Sequence, residues 1–312
     1  MLYAVLFGLT WLSPAIARVW EVGPTHVLTK PSQAALLVRD GDTVLIDPGT
    51  YADCAVWRAS RLTIAARGPG VVIAGPPCFD RGLFLTMGRD ITIRGITFTN
   101  GRVIYHNGAG VRAYGANLTV IDSRFLNNEN GILVGGPSDS VVRVINSVFI
   151  GNGSCEGACA HAIYAGAPFA ILDVENCTFR NTRTAHHVKS RARTTIVAGS
   201  LIDDGEDGTA SYLIETPNGG NLLVMNNVMR KGRRSDNPAA AISIGVEGVT
   251  NPTEVLIVRD NHFTSDLPEQ TLFVRNSSKV PVTVANNVIV GKVKPLDGPG
   301  TVASPPSRVP GQ

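Results

Sequence analysis

Two adjoining blocks of opposite charge between Thr184 and Gly220 gather the residues best able to do chemistry. Arg180, Arg183, Lys189, Arg191 and Arg193 stand beside His186 and His187 in a stretch, Arg180 to Ile202, that holds no Asp or Glu. Asp203, Asp204, Glu206, Asp207 and Glu215 follow at once. Like charges this close repel, so a block of them serves a solvated face or a partner of opposite sign. Arg and Lys can neutralise a carboxylate, His, Lys and Tyr can move a proton, and two carboxylates can flank a glycosidic bond. Three readings are open: proton transfer beside a uronate carboxylate, glycoside hydrolysis, and binding of an acidic polymer without turnover.

The rest of the chain limits the partners. A net charge of +3 over 312 residues, with no arginine-rich tail, argues against general nucleic-acid binding. The apolar run from Met1 ends in Ala15-Ile16-Ala17 and is too short to span a bilayer. It reads as a secretory signal peptide over residues 1–17, which predicts a secreted or periplasmic protein with no membrane span in the mature chain. Five cysteines fit that compartment. Cys155 with Cys159 and Cys54 with Cys78 are the expected disulfides, which leaves Cys177 over. A zinc site at Cys155, Cys159 and His161 is the alternative, and it lacks a second ligand pair.

The elements that must position the charged blocks come from a repeat. From Ile91 onward the chain returns to one pattern, as in I-T-I-R-G-I-T-F, L-T-V-I-D-S-R-F, V-R-V-I-N-S-V-F and L-I-V-R-D-N-H-F. Copies are spaced by about 23 to 34 residues, a solenoid period. Short β-branched runs broken by Gly and Asn exclude helical repeats. Three short strands per unit cannot bury their own apolar side, but stacked units share a continuous interior, so the fold is predicted to be all-β, a right-handed parallel β-helix with three strands per coil. Phe98, Phe125, Phe149, Phe179 and Phe263 should stack inside, with Asn at each tight bend forming an inward ladder. Gln33 to Val38 gives a short helical pattern read as an N-terminal cap. The domain is predicted over 18–291, and the Pro- and Gly-rich residues 292–312 read as a loosely ordered tail.

Strand alternation places the charged block. With Ile132, Ile163, Val188, Ile214 and Ile242 pointing in, the outward column is Leu133, Tyr164, Lys189, Glu215, Ser243, with His187, Arg191 and Tyr114 at neighbouring outward positions. One coil advances about 4.8 Å. Lys189 is then the base or carboxylate binder, His187 and Arg191 neutralise the substrate, Tyr164 donates a proton and Glu215 orients Lys189. His186, Arg193, Tyr114 and Asn218 are the expected substrate contacts. A hydrolase would instead pair Glu215 with Asp203, Asp204, Glu206 or Asp207, and the same four acids are the candidate calcium ligands.

G-D-T-V-L-I-D-P-G-T-Y, L-T-I-A-A-R-G-P-G-V-V-I-A-G and the N-x-x-F copies resemble the pectate-lyase-like superfamily of right-handed parallel β-helix proteins, over most of residues 25–291. That resemblance implies the fold, while the superfamily spans lyases, hydrolases, esterases, epimerases and non-enzymatic binders. Lys189-Ser190, followed one coil later by a polar outward strand, is similar to the chondroitinase-B and alginate-lyase family, whose catalytic Lys sits in such a motif. The paired-Asp and Gly-His-Gly motifs of β-helix polygalacturonases and the Gln and Asp motifs of pectin methylesterases are absent. The sequence therefore points to an acidic polysaccharide as partner and to lyase or epimerase chemistry on it, with a carbohydrate-binding or envelope structural protein as the alternative.

Overall fold

A computed structural model describes residues 17–303; the signal-peptide reading of residues 1–17 lies almost wholly outside them. From Thr43–Ile46 onward, short strands wind through three parallel sheets in strict rotation. The first sheet has twelve strands, from Val19–Val22 to Gly300–Ala303; the second has ten, from Gly49–Tyr51 to Val288–Val290. The third also has ten, from Ala55–Trp57 to Val293–Asp297. Every pairing between neighbouring strands is parallel, which is consistent with the predicted right-handed β-helix. One helix occurs among the described residues, Pro31–Ala35, packed against Val19–Val22 and Ala55–Trp57.

Alternation along each strand sends one set of side chains into the shared interior. Phe98, Phe125, Phe149 and Phe179 are fully buried and in register on the second sheet, their rings stacked at 4.7 to 5.2 Å. The same column continues through Ile202 and Met229 to Phe263. Burying one such ring stabilises the fold by roughly 1.5 to 3 kcal/mol.

The corner between the first and second sheets is the tightest. Its leading residue is left-handed in coil after coil: Asp122, Asn146, Asn176, Asn226, Asp260 and Asn286 all have φ between 51° and 57°. Gly95 and Gly199 take that place in two coils, and at Gly199 an added Cβ would lie 2.4 Å from the Asn176 amide oxygen. The next residue points inward and bonds the backbone of the coil before it. Ser123, Ser147, Cys177, Ser200, Asn227, Asn261 and Asn287 each accept the amide N–H of the preceding member of this ladder, or of Ile96 at its start. Cys177 is thus a rung of the ladder, its thiol pushed up to about 12 by burial. Cys54–Cys78 and Cys155–Cys159 are disulfide-bonded, so no zinc site exists at the second pair.

The tail predicted from residue 292 is replaced by structure through Ala303. Val293–Asp297 and Gly300–Ala303 pair with Thr271–Asn276 and Val282–Ala285. Pro295 is tolerated because its strand ends the third sheet, where an edge position need not donate to a further neighbour.

Candidate functional site

The outer face of the third sheet carries the predicted column. Leu133 pairs with Tyr164, Tyr164 with Lys189, Lys189 with Glu215, and Glu215 with Ser243. The inward partners Ile132, Ile163, Val188, Ile214 and Ile242 are fully buried. Loops at the two corners flanking this sheet form the rims of the face.

Glu215 lies at the floor, with its side chain only 3% exposed. Its Oε2 sits 2.9 Å from Lys189 Nζ and 3.0 Å from His186 Nε2. Neither contact meets hydrogen-bond alignment, and both are close polar contacts on one oxygen. Burial would raise the Glu215 carboxyl, but His186 and Lys189 outweigh it and hold the group ionised below its ordinary range.

Lys189 donates to a second carboxylate, Glu247 Oε1, at 2.7 Å. The other oxygen of Glu247 meets Arg191 Nη2, also at 2.7 Å. Arg191 donates through Nε to the Tyr164 hydroxyl at 3.3 Å and through Nη1 to Asn218. Burial would lower the Lys189 ammonium, but Glu247 and Glu215 hold it above its ordinary value. The Glu247 carboxyl is likewise pulled down, its partial burial being outweighed by Lys189 and Arg191. Every charged group of this cluster therefore carries its charge at neutral pH.

His186 is fixed from behind. Its Nδ1 accepts the Tyr212 amide N–H at 3.1 Å, so the proton of the neutral ring is on Nε2, facing Glu215. Its ring stacks on His161 at 4.8 Å, and the His161 ring meets Tyr164 edge-on at 4.7 Å. His161 Nδ1 accepts the His186 amide N–H, and burial, helped by the nearby cations of Lys189 and Arg191, drives its pKa well down.

Several predicted members lie elsewhere. His187 is completely buried, with Nδ1 2.7 Å from Thr182 Oγ1 and Nε2 2.8 Å from the equally buried Asp204 Oδ1. The alternation that would turn it outward starts only at Val188, because Thr184 and Ala185 bend the chain through positive φ just before it. Tyr114 stands beside Arg112, three strands and about 14 Å from Lys189 along the sheet. Arg193 is exposed with no ion pair among the described residues.

The acidic loop does not wall the site or converge. Asp204 is taken by His187, Asp203 lies 3.8 Å from both Arg180 and Arg230, and Asp207 pairs with Arg234. Glu206 lines a separate concavity of about 520 Å³ with Arg230, Arg233 and Arg234. Among the described residues no group of three or more His, Cys, Asp or Glu side chains is gathered as a metal site, so the proposed calcium ligands do not form one. Glu247, which sequence reasoning missed, is the second carboxylate beside Glu215. It lies 58 residues from Lys189 in G-V-E-G, a loop without periodicity, and only the stacking of coils brings it in.

These contacts can be set against known proteins. No protein-family profile matches the sequence, and no curated protein matches it. Solved structures do. The pectate lyase Pel9A superposes with a TM-score of 0.56 at 16% identity, over 93% of this chain and 79% of that one. Pectin methylesterase PemA from Erwinia chrysanthemi gives 0.51 at 10% identity, over 70% of this chain and 80% of that one. The likeness is one of fold: this chain is a parallel β-helix. Identities this low leave the chemistry to the side chains present.

Proposed function

We propose that the protein binds a uronate-containing polysaccharide along the outer face of the third sheet and acts on it by proton transfer beside the sugar carboxylate, as a lyase or epimerase. The observation that carries this reading is the grip of Lys189 and Arg191 on one carboxylate, next to the Tyr164 hydroxyl. A carboxylate held by two cations becomes a better electron sink, which acidifies the proton on the adjacent carbon and stabilises the charge that develops when it leaves. Lys189 acts as a cation, since its carboxylate partners keep it protonated. Tyr164 is the proton-transfer group, its oxygen held by the Arg191 Nε–H beside the gripped carboxylate. Elimination would move the C5 proton to the Tyr164 oxygen, its own proton having gone to solvent, and from there to the leaving C4 oxygen, while the C4–O bond breaks and a C4–C5 double bond forms. Return of a proton to the opposite face of C5 would give the epimer instead. His186 and Glu215 orient Lys189, with Asn218 orienting Arg191.

The named activities of the two superposed proteins on pectin support a polysaccharide as the substrate class, and a polymer substrate agrees with an exported protein. Hydrolysis fits less well: Glu215 and Glu247 are both held ionised, and a hydrolase needs one protonated carboxylic acid. The complete ion pairing of the face favours a second reading, a non-catalytic binding module. Incubation with polygalacturonate, alginate and chondroitin, followed by unsaturated-product absorbance, reducing ends and NMR of the sugar configuration, separates these readings. Product that disappears in Tyr164→Phe while binding persists supports the enzyme. Binding without product supports the module, and absence of both overturns the proposal.

A further inference from the structure

The carboxylate of Glu247 occupies the place where the functional reading above puts the substrate's own carboxylate. We propose that Glu247 is an internal stand-in for the substrate carboxylate, displaced when a uronate binds. Its two oxygens divide between two cations, Oε1 to Lys189 and Oε2 to Arg191, each at 2.7 Å. A uronate carboxylate would make the same pair of contacts. Glu247 also comes from outside the sheet face, in the corner loop that follows Ala240–Ile244, two strands beyond Lys189.

Its side chain can leave while its loop stays. Glu247 is 40% exposed, against 3% for Glu215, 11% for Lys189 and 23% for Arg191. The loop backbone is tied independently of the carboxylate. Gly245 N–H donates to Thr216 O, Glu247 N–H to Pro217 O, and Thr250 and Asn251 N–H to Asn218 O. Asn218 Nδ2 donates in turn to Gly248 O at 3.2 Å. After the side chain rotates out, Lys189 retains Glu215, and Arg191 retains Tyr164 and Asn218, so both cations stay in position. A neutral sugar has nothing to offer the cations and does not displace the carboxylate.

The affinity of a site open only part of the time falls by the open fraction, so a stand-in seated nine-tenths of the time weakens uronate binding about tenfold. The test is calorimetric titration of hexagalacturonate and hexamannuronate, with maltohexaose as neutral control, into wild type, Glu247→Gln and Arg191→Ala at one fixed ionic strength. Glu247→Gln is expected to bind a hexauronate about tenfold more tightly, with maltohexaose unchanged. Glu247→Asp, too short to span both cations, carries the same expectation and serves if the Gln variant does not fold. Unchanged or weaker hexauronate binding in these variants, alongside loss in Arg191→Ala, overturns the stand-in and leaves the functional reading intact. If wild type and Glu247→Gln both ignore the hexauronates, both readings fall.

Discussion

Neighbouring histidines feed two groups of the same composition, one on the outer face and one inside. His186 meets Glu215 and, through it, Lys189; His187 meets Asp204, near the fully buried Lys231. The two lysines respond in opposite directions. Lys189 is held above its ordinary value, whereas burial pulls Lys231 down to about 8 against the weaker opposing pull of Asp204 and Asp236. Lys231 donates to the Ser211 carbonyl and makes no ion pair among the described residues, because Asp204 is already engaged by His187 and the Gly232 amide. Depth alone does not set a lysine's charge; the number of carboxylates it touches does.

The widest gap should open when each lysine is replaced by methionine. Lys189→Met strands the buried Glu215 with His186 alone and should cost about 3 kcal/mol or more in denaturant unfolding, with loss of uronate binding. Lys231→Met should do the reverse. The change from 10.5 to about 8 corresponds to about 3 kcal/mol, offset by about 1 kcal/mol for the lost bond to Ser211. A lowered lysine pKa means that the native state suffers below about 8 and that the penalty fades as pH rises toward 10.5, where the unfolded chain binds more protons. Wild type should therefore gain stability across that window relative to Lys231→Met. Equal slopes for the two proteins would erase the contrast.

The histidines sharpen the comparison at smaller scale. His187→Gln should lose roughly 1.5 kcal/mol of stability by leaving Asp204 and Thr182 poorly paired, with glycan affinity kept. His186→Gln should spare stability and reduce turnover by loosening Lys189; equal effects on both readouts would mean that the groups are not separate. The smallest expected effect is at low pH. Because the Glu215 carboxyl is lowered in the native state, its contribution is present above the ordinary glutamate range and lost as pH falls through its native value. A melting series in acid should slope more steeply for wild type than for Glu215→Gln.

The outward column was readable because two regularities coincide: alternation along a strand, and a fixed register from coil to coil. Those rules place Tyr164, Lys189 and Glu215 together, and they also place the phenylalanine stack. They stop at strand ends. His187 was misplaced by extending alternation one residue too far into a corner, and Tyr114 by counting a shared column as a shared site. Glu247 was missed for the converse reason, since a loop with no period gives no register. The acids from Asp203 to Asp207 are close in sequence, but the corner points them at different arginines or into the interior.

The two-residue corner between the first and second sheets has a consequence for how such a chain can change length. Its geometry is the same from Gly95-Ile96 to Asn286-Asn287, and each rung bonds only its neighbours. A whole coil cut out or duplicated from one such corner to the next would leave two matching ends, so the protein can be edited in tiles. The tile bearing Lys189 is the exception. Its removal would close the wall without a seam and leave Glu247 facing nothing to hold.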